Sequence, residues 1–193
     1  MTRAMINPEN ALFAVWAFWA VSWWAAALWA NRTVARPAAG SEFFYRLLTI
    51  VGAVLLFGLV ERDPSSPYML WIAGPALSWS MVGLAVLGFL FAWWARLHLG
   101  RLWSASVTKK SDHRVVDAGP YGLVRHPIYT GIIAASIAMV VVRGSVFALA
   151  GAVLMTLGWY IKARLEERFL RQELGAADYD AYAARVPMLV PFT

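Results

Sequence analysis

The sequence contains no cysteine among its 193 residues, and charged residues make up only 15% of it. The absence of cysteine excludes disulfide bonds, thiolate metal sites and cysteine nucleophiles. Soluble domains carry about 25% charged residues, so the scarcity of charge and a 61% hydrophobic content indicate a protein of the bilayer. In such a protein the net charge of +6 indicates basic loops at one membrane face rather than a nucleic-acid partner.

Several familiar catalytic motifs are also missing. The chain has no GxSxG nucleophile elbow, no GxGxxG loop and no Walker pattern. Its three histidines, His98, His113 and His126, have no HExxH-type spacing and no cysteine to join them, so we expect no metal site. These absences argue against a serine hydrolase, the common nucleotide-binding loops and a zinc enzyme.

Long apolar runs predict about five membrane-spanning helices. The runs are 11–30, 43–60, 68–95, 128–142 and 146–161. The last two are short for spans and form a helical hairpin around Arg143-Gly144-Ser145. We therefore expect an all-α, polytopic membrane protein with one domain, 1–193. Its parts are three N-terminal spans (1–95), a cytoplasmic loop (96–127), the hairpin (128–161) and a cytoplasmic C-terminal segment (162–193).

The distribution of basic residues predicts the orientation. Arg32, Arg36 and Arg46 fall on the same side as the loop 96–127 and the C-terminal segment. Because basic loops stay in the cytoplasm, this side is predicted to be cytoplasmic and the N-terminus to lie outside. The first residues lack the basic region and cleavage site of a secretory signal, so we expect the first run to be a retained span.

The most unusual stretch is GPYGLVRHPIYTG, from Gly119 to Gly131. Pro127 suits the first turn of a helix, where its missing N–H is not needed. Arg125 and His126 then lie just before a helix N-terminus, where free backbone N–H groups attract an anion. The alternative is that both side chains anchor the helix among lipid headgroups.

A second charged stretch, KARLEERFLRQEL, follows the hairpin. Its Glu166 and Glu167 either bind a cationic group at the end of a span or form ordinary ion pairs on a solvated helix. The two charged stretches flank the hairpin, so its open end is predicted to hold Arg125 and His126 opposite the two glutamates. Such a pairing suits a zwitterionic ligand.

Together these motifs resemble the isoprenylcysteine carboxyl methyltransferase family and the related membrane phospholipid methyltransferases. The matching residues are His113, Gly119-Pro120-Tyr121, Arg125-His126-Pro127, Tyr129, Gly131, Glu166-Glu167, Leu174-Gly175, Tyr179, Tyr182 and Arg185-Val186-Pro187. The resemblance covers roughly the C-terminal half of the chain. It implies a methyltransferase that uses S-adenosyl-L-methionine from the cytoplasm and a lipidic or prenylated acceptor that enters from the bilayer, among membrane lipids.

The resemblance also implies site residues. The implied cofactor site consists of His113, Val116, Gly119, Tyr121, Arg125, His126, Tyr129, Glu166, Glu167 and Arg185. The residues expected to act on the reacting groups are Arg96, Arg164 and Glu167. The family pattern has an arginine where this chain has Ala92, so either Arg96, one turn further along, replaces it or the acceptor differs.

Three other readings stay open at this point: a phospholipid N-methyltransferase, an NADPH-dependent membrane reductase and a non-catalytic membrane scaffold. A reductase needs groups for a 2′-phosphate and more spans than 193 residues provide. A scaffold has no reason to hold both signs of charge at the ends of a hairpin. The pattern of small residues defines no oligomeric state.

Overall fold

A computed structural model describes residues 7–28, 39–58, 65–100 and 116–193 of the protein. Regular structure in these ranges is helical, and an isolated bridge joins Met69 to Ser145. The α-helices are α1 (Pro8–Ala27), α2 (Ala39–Phe57), α3 (Pro75–Leu99), α4 (Pro127–Arg143), α5 (Val146–Leu174) and α6 (Ala176–Arg185), with a 3₁₀ turn at Gly119–Gly122 before α4. The predicted all-α membrane fold is confirmed.

Local sequence signals determine where the helices begin and end. Asn7 and Ser145 are the N-caps of α1 and α5, and each side-chain oxygen accepts a hydrogen bond from a backbone N–H three residues on. Pro75 and Pro127 occupy the first turns of α3 and α4, where no intrahelical N–H bond is lost. Gly144 ends α4 in the left-handed conformation, at φ 62° and ψ 24°.

Among the residues that the structure describes, three helical segments are long and apolar enough to cross a membrane: Pro8–Ala27, Pro75–Leu99 and Val146–Glu173. Helix α4 is shorter, with 17 residues. The third predicted span starts later than residue 68, because residues 68–74 precede the helix. Helix α5 continues well past residue 161 to Leu174, so its charged residues belong to the same helix as its apolar run.

The helices pack mainly as two pairs. Helix α3 packs chiefly against α4, and α2 packs chiefly against α5, whereas the consecutive helices α4 and α5 share a smaller contact. Glycines allow both close approaches. A Cβ on Gly88 of α3 would lie 2.6 Å from the carbonyl oxygen of Gly131 on α4. Likewise, a Cβ on Gly151 of α5 would lie 2.6 Å from the carbonyl oxygen of Gly52 on α2. The two helix pairs therefore meet along a seam between α4 and α5.

Aromatic side chains join α1 to the core. The Trp16 ring lies 4.9 Å from the Phe57 ring and 4.8 Å from the Phe89 ring, both edge-on, and Trp19 stacks on Phe89. Such edge-to-face pairs are a favourable aromatic geometry. Many other large apolar side chains of α1 to α3 are exposed, including Phe18, Leu87 and Leu90, as expected for surfaces that face lipid.

The turn between α4 and α5 is clamped by the segment before α3. The Leu70 N–H donates to the Gly144 carbonyl at 2.7 Å, and the Trp71 indole donates to the Val141 carbonyl at 2.9 Å. Nearby, Arg143 at the end of α4 pairs with Glu9 of α1 at 3.1 Å, and both side chains are largely buried. This ion pair lies at the opposite end of α4 from Arg125 and His126.

Candidate active site at the open end of the hairpin

The residues before α4 pack closely against the end of α3. Gly119 has a positive φ of 59°, and a Cβ there would lie 2.9 Å from Cε1 of His98, so only glycine fits this turn without displacement. Tyr121 is buried in the same turn and stacks on His98, with ring centroids 6.3 Å apart. Burial raises the pKa of Tyr121 well above its ordinary value, so its phenol stays protonated.

Arg125 connects α5 to the end of α6. Its Nε donates to Oε1 of Glu167 at 2.7 Å, and each of the two side chains is 11% exposed. Its Nη1 donates to the carbonyls of Ala183 and Val186 at 2.9 and 2.5 Å. A charge-assisted pair of this kind is stronger than a neutral hydrogen bond, so Arg125 fixes the position of Glu167 and of the chain that follows α6.

His126 lies between the two glutamates and is 8% exposed. Its Nε2 is 3.2 Å from Oε1 of Glu167, and its Nδ1 is 3.6 Å from Oε2 of Glu166. Burial disfavours the charged ring, but the hydrogen bonds and charges of Glu166 and Glu167 outweigh this effect and raise the pKa of His126 above its ordinary value. The site therefore favours the imidazolium form.

Glu166 forms a second set of contacts along the seam. The Tyr129 hydroxyl donates to its Oε1 at 2.7 Å, and the Tyr129 ring stacks between His126 and Trp159. Nζ of Lys162 is 3.8 Å from Oε1 of Glu166 and 5.4 Å from the ring centroids of both Tyr129 and Trp159. Lys162 is 6% exposed.

The sequence interpretation missed Lys162 because it placed this residue at the start of a solvated segment. The available signal was its spacing: Lys162 and Glu166 are i and i+4 on one helix, which places their side chains on the same face.

The C-terminal segment runs along the start of α4. The N–H groups of Arg125 and His126 donate to the carbonyls of Pro187 and Met188 at 2.8 and 3.1 Å. The Thr130 hydroxyl donates to the Leu189 carbonyl at 2.7 Å. The backbone N–H groups of Arg125 and His126 are thus occupied and are not available to an anion.

The remaining predicted site residues lie at different distances from this cluster. Arg164 approaches Glu167 Oε2 to 4.0 Å but is 51% exposed. Arg185 is exposed and pairs with Asp117 at 3.5 Å, next to the partly buried Val116. His113, like Arg32 and Arg36, lies outside the described residues.

Arg96 does not lie in the environment expected of a residue that positions the methyl acceptor. It is fully buried near the end of α3, and its Nη1 and Nη2 donate to the carbonyls of Gly100 and Ala26 at 2.5 and 2.8 Å. It thereby satisfies carbonyls at the ends of two helices, which have no partner within the helix.

The predicted positive and negative groups do come together, with one difference. Arg125, His126, Glu166, Glu167 and Tyr129 form one buried cluster, but Arg125 and Glu167 are in direct contact. A zwitterion held here would replace part of these contacts rather than fill a gap between them.

Comparison with known proteins shows what this helical membrane protein is similar to. Residues 81–172 match the model of the isoprenylcysteine carboxyl methyltransferase (ICMT) family. This segment runs from α3 into α5 and includes Arg125, His126, Tyr129, Glu166 and Glu167. The resemblance predicted from the motifs is confirmed by this match over residues 81–172.

Two curated proteins are similar over most of the chain. Protein-S-isoprenylcysteine O-methyltransferase B of Arabidopsis thaliana is 26% identical over 151 residues, which are 77% of this chain and 74% of that protein. Cobalt-zinc-cadmium resistance protein CzcN of Cupriavidus metallidurans is 28% identical over 155 residues, which are 75% of this chain and 60% of that protein. The chain therefore spans less than two thirds of the second relative.

Proposed function

We propose that the protein is a membrane methyltransferase that transfers a methyl group from S-adenosyl-L-methionine to a carboxylate on a lipidic acceptor. The observation that carries this proposal is the buried cluster of opposite charges just before α4 and on α5, inside the segment that matches the methyltransferase family. The similarity to a protein named as an isoprenylcysteine O-methyltransferase supports the choice of a carboxylate oxygen.

The cluster has the chemistry that the methyl donor requires. Glu166 and Glu167 can accept hydrogen bonds from its ammonium group, and Arg125 and His126 can donate to its carboxylate. When bound, the donor supplies a methyl group activated by a sulfonium centre. Val116, Gly119 and Tyr121, on the segment that precedes Arg125, are proposed to line the rest of the donor site, together with Arg185.

The surrounding residues leave the cluster largely buried, with side-chain exposures of 8–20%. The chain from Val186 to Leu189 covers the start of α4, and Tyr129 and Trp159 cover Glu166 from the seam. Methyl transfer to an anion neutralises charge, so a dry site favours it once the reactants are held in place.

A carboxylate acceptor fits the protonation chemistry of the cluster. Glu166 already accepts a hydrogen bond from Tyr129 and lies beside His126 and Lys162, and Glu167 accepts from Arg125 and His126. Carboxylates engaged in this way are weak bases. An ammonium acceptor must lose a proton before it can be methylated, whereas a carboxylate needs none removed.

The proposed topology is multi-pass, with the N-terminus outside and the charged cluster and C-terminus at the cytoplasmic face. It is supported by the basic residues of the loops and of the C-terminal segment. The donor would reach the cluster from the cytoplasm, and the acceptor would reach it from the lipid.

Transfer of isotopically labelled methyl groups tests this proposal. Detergent-solubilised protein is incubated with labelled donor and N-acetyl-S-farnesylcysteine, a carboxylate on an isoprenoid chain. We expect labelled product that mild alkali hydrolyses to methanol, since esters are labile and N-methyl groups are not. Folded protein that labels a phospholipid amine and leaves the carboxylate unlabelled would contradict the proposal.

A further inference from the structure

Lys162 is a buried cation that neither the sequence motifs nor the proposed donor site uses. It lies on α5, one turn before Glu166, at the point where α2, α4 and α5 meet. Its Nζ is over the rings of Tyr129 and Trp159, and 5.9 Å from the ring centroid of Tyr45 on α2. Aromatic faces attract a cation placed over them, and Glu166 lies 3.8 Å from the same ammonium group.

Trp159 provides a second hydrogen-bond donor at the same place. Its Nε1 is buried and has no hydrogen-bond partner within the described ranges of the chain. A buried indole N–H usually has a partner, so an acceptor atom at this position would be stabilising. Lys162 and Trp159 thus offer two donors beside Tyr129, which contacts Glu166 of the proposed donor site.

The charges around the cluster favour an anion here. Arg125 and Lys162 balance Glu167 and Glu166, and protonated His126 leaves one excess positive charge in the buried site. Arg164 is half exposed and screened by solvent, and on α2 Glu42 pairs with Arg46. A bound sulfonium adds another positive charge. An anionic acceptor reduces this excess, whereas an ammonium acceptor increases it in a medium of low dielectric constant.

We propose that Lys162, assisted by the Trp159 indole, binds the carboxylate of the methyl acceptor where α4 and α5 meet. This contact makes the protein bind acceptors that end in a carboxylate more tightly than acceptors with a neutral end. This inference rests on the proposed function and assigns the acceptor side of the same site. It places the acceptor on the α2 side of Glu166, away from Arg96, whose guanidinium binds backbone carbonyls.

Equilibrium binding distinguishes this role from the donor site. The affinities of N-acetyl-S-farnesylcysteine and of its methyl ester, which differ in the negative charge, are measured calorimetrically with protein saturated with S-adenosylhomocysteine. We expect the wild type to prefer the carboxylate at least about tenfold, a typical difference for a buried charged hydrogen bond. Lys162→Met removes this preference, and Lys162→Arg retains most of it.

The variants have a matched control in Arg143→Met, which removes a buried cation at the opposite end of α4 and is expected to leave the preference unchanged. Lys162→Met is expected to bind S-adenosylhomocysteine with an affinity within about twofold of the wild type. This change is well below the tenfold change in affinity that corresponds to about 1.4 kcal/mol. An equal preference in Lys162→Met and wild type, or loss of donor affinity in Lys162→Met, overturns the role of Lys162. A wild type that binds no S-adenosylhomocysteine overturns the proposed function instead.

Discussion

At the scale of single residues, His126 connects the charged cluster to pH. Both of its ring nitrogens face carboxylates, and the pKa of His126 is raised above its ordinary value of 6.5. A group with a raised pKa in the folded state stabilises the protein fully below the unfolded pKa. This stabilisation is lost as the pH rises through the folded pKa.

The resulting prediction concerns the pH dependence of unfolding. We expect the midpoint of thermal unfolding in detergent to fall as the pH is raised from about 6 to above the folded pKa of His126. His126→Gln removes the titrating group, so its midpoint is expected to vary less over the same range. Identical pH profiles for the two proteins would show that His126 does not carry this linkage.

The sequence predicted part of this site at the residue scale. Arg125, His126, Glu166 and Glu167 come together as expected, because the hairpin brings its two charged flanks to one end. The sequence could not show that Arg125 and Glu167 pair directly, or that Arg96 binds the Gly100 and Ala26 carbonyls. Those contacts depend on how the chain before and after the hairpin returns to it.

At the scale of secondary-structure elements, the start of α4 at Pro127 was predictable from the proline, whereas the end of α5 was not. The charged residues after 161 resembled a solvated helix, but α5 continues and buries Lys162 and Glu167 against neighbouring helices. Tertiary contacts, which local composition does not encode, keep these residues inside the bundle.

The close packing of α3 on α4 provides a test at this scale. A Cβ on Gly131 would overlap the Gly88 carbonyl oxygen and approach Ala92, so Gly131→Ala should force the helices apart and destabilise the fold by about 1–3 kcal/mol. The control is Gly83→Ala on α3, where a Cβ meets no atom within 4 Å. It should be neutral or slightly stabilising, since alanine favours helices by up to about 1 kcal/mol relative to glycine. Equal midpoints of unfolding for the two variants would contradict this close packing of α3 on α4.

At the scale of the whole molecule, two helix pairs meet along a seam, and the charged cluster lies at one end of it. The sequence predicted the all-α membrane architecture from its apolar runs, and its motifs predicted the resemblance to the family that residues 81–172 match. It could not predict that α4 packs mainly on α3 and α5 mainly on α2, because the apolar runs 128–142 and 146–161 carry no charged residue that would mark an outer face. That pairing is what leaves Lys162, Tyr129 and Trp159 together at the seam.

The central claim is that the cluster of Arg125, His126, Glu166 and Glu167 binds the methyl donor. Calorimetric titration of the detergent-purified protein with S-adenosylhomocysteine tests it most directly, with Glu167→Gln as the site variant. The matched control is Glu9→Gln, which removes a similarly buried carboxylate from its arginine pair at the opposite end of the bundle.

We predict that the wild type and Glu9→Gln bind S-adenosylhomocysteine. Folded Glu167→Gln is expected to bind it at least tenfold more weakly, a loss of about 1.4 kcal/mol in binding free energy. Well-folded wild-type protein that binds no S-adenosylhomocysteine, or equal affinities in all three proteins, would contradict the account.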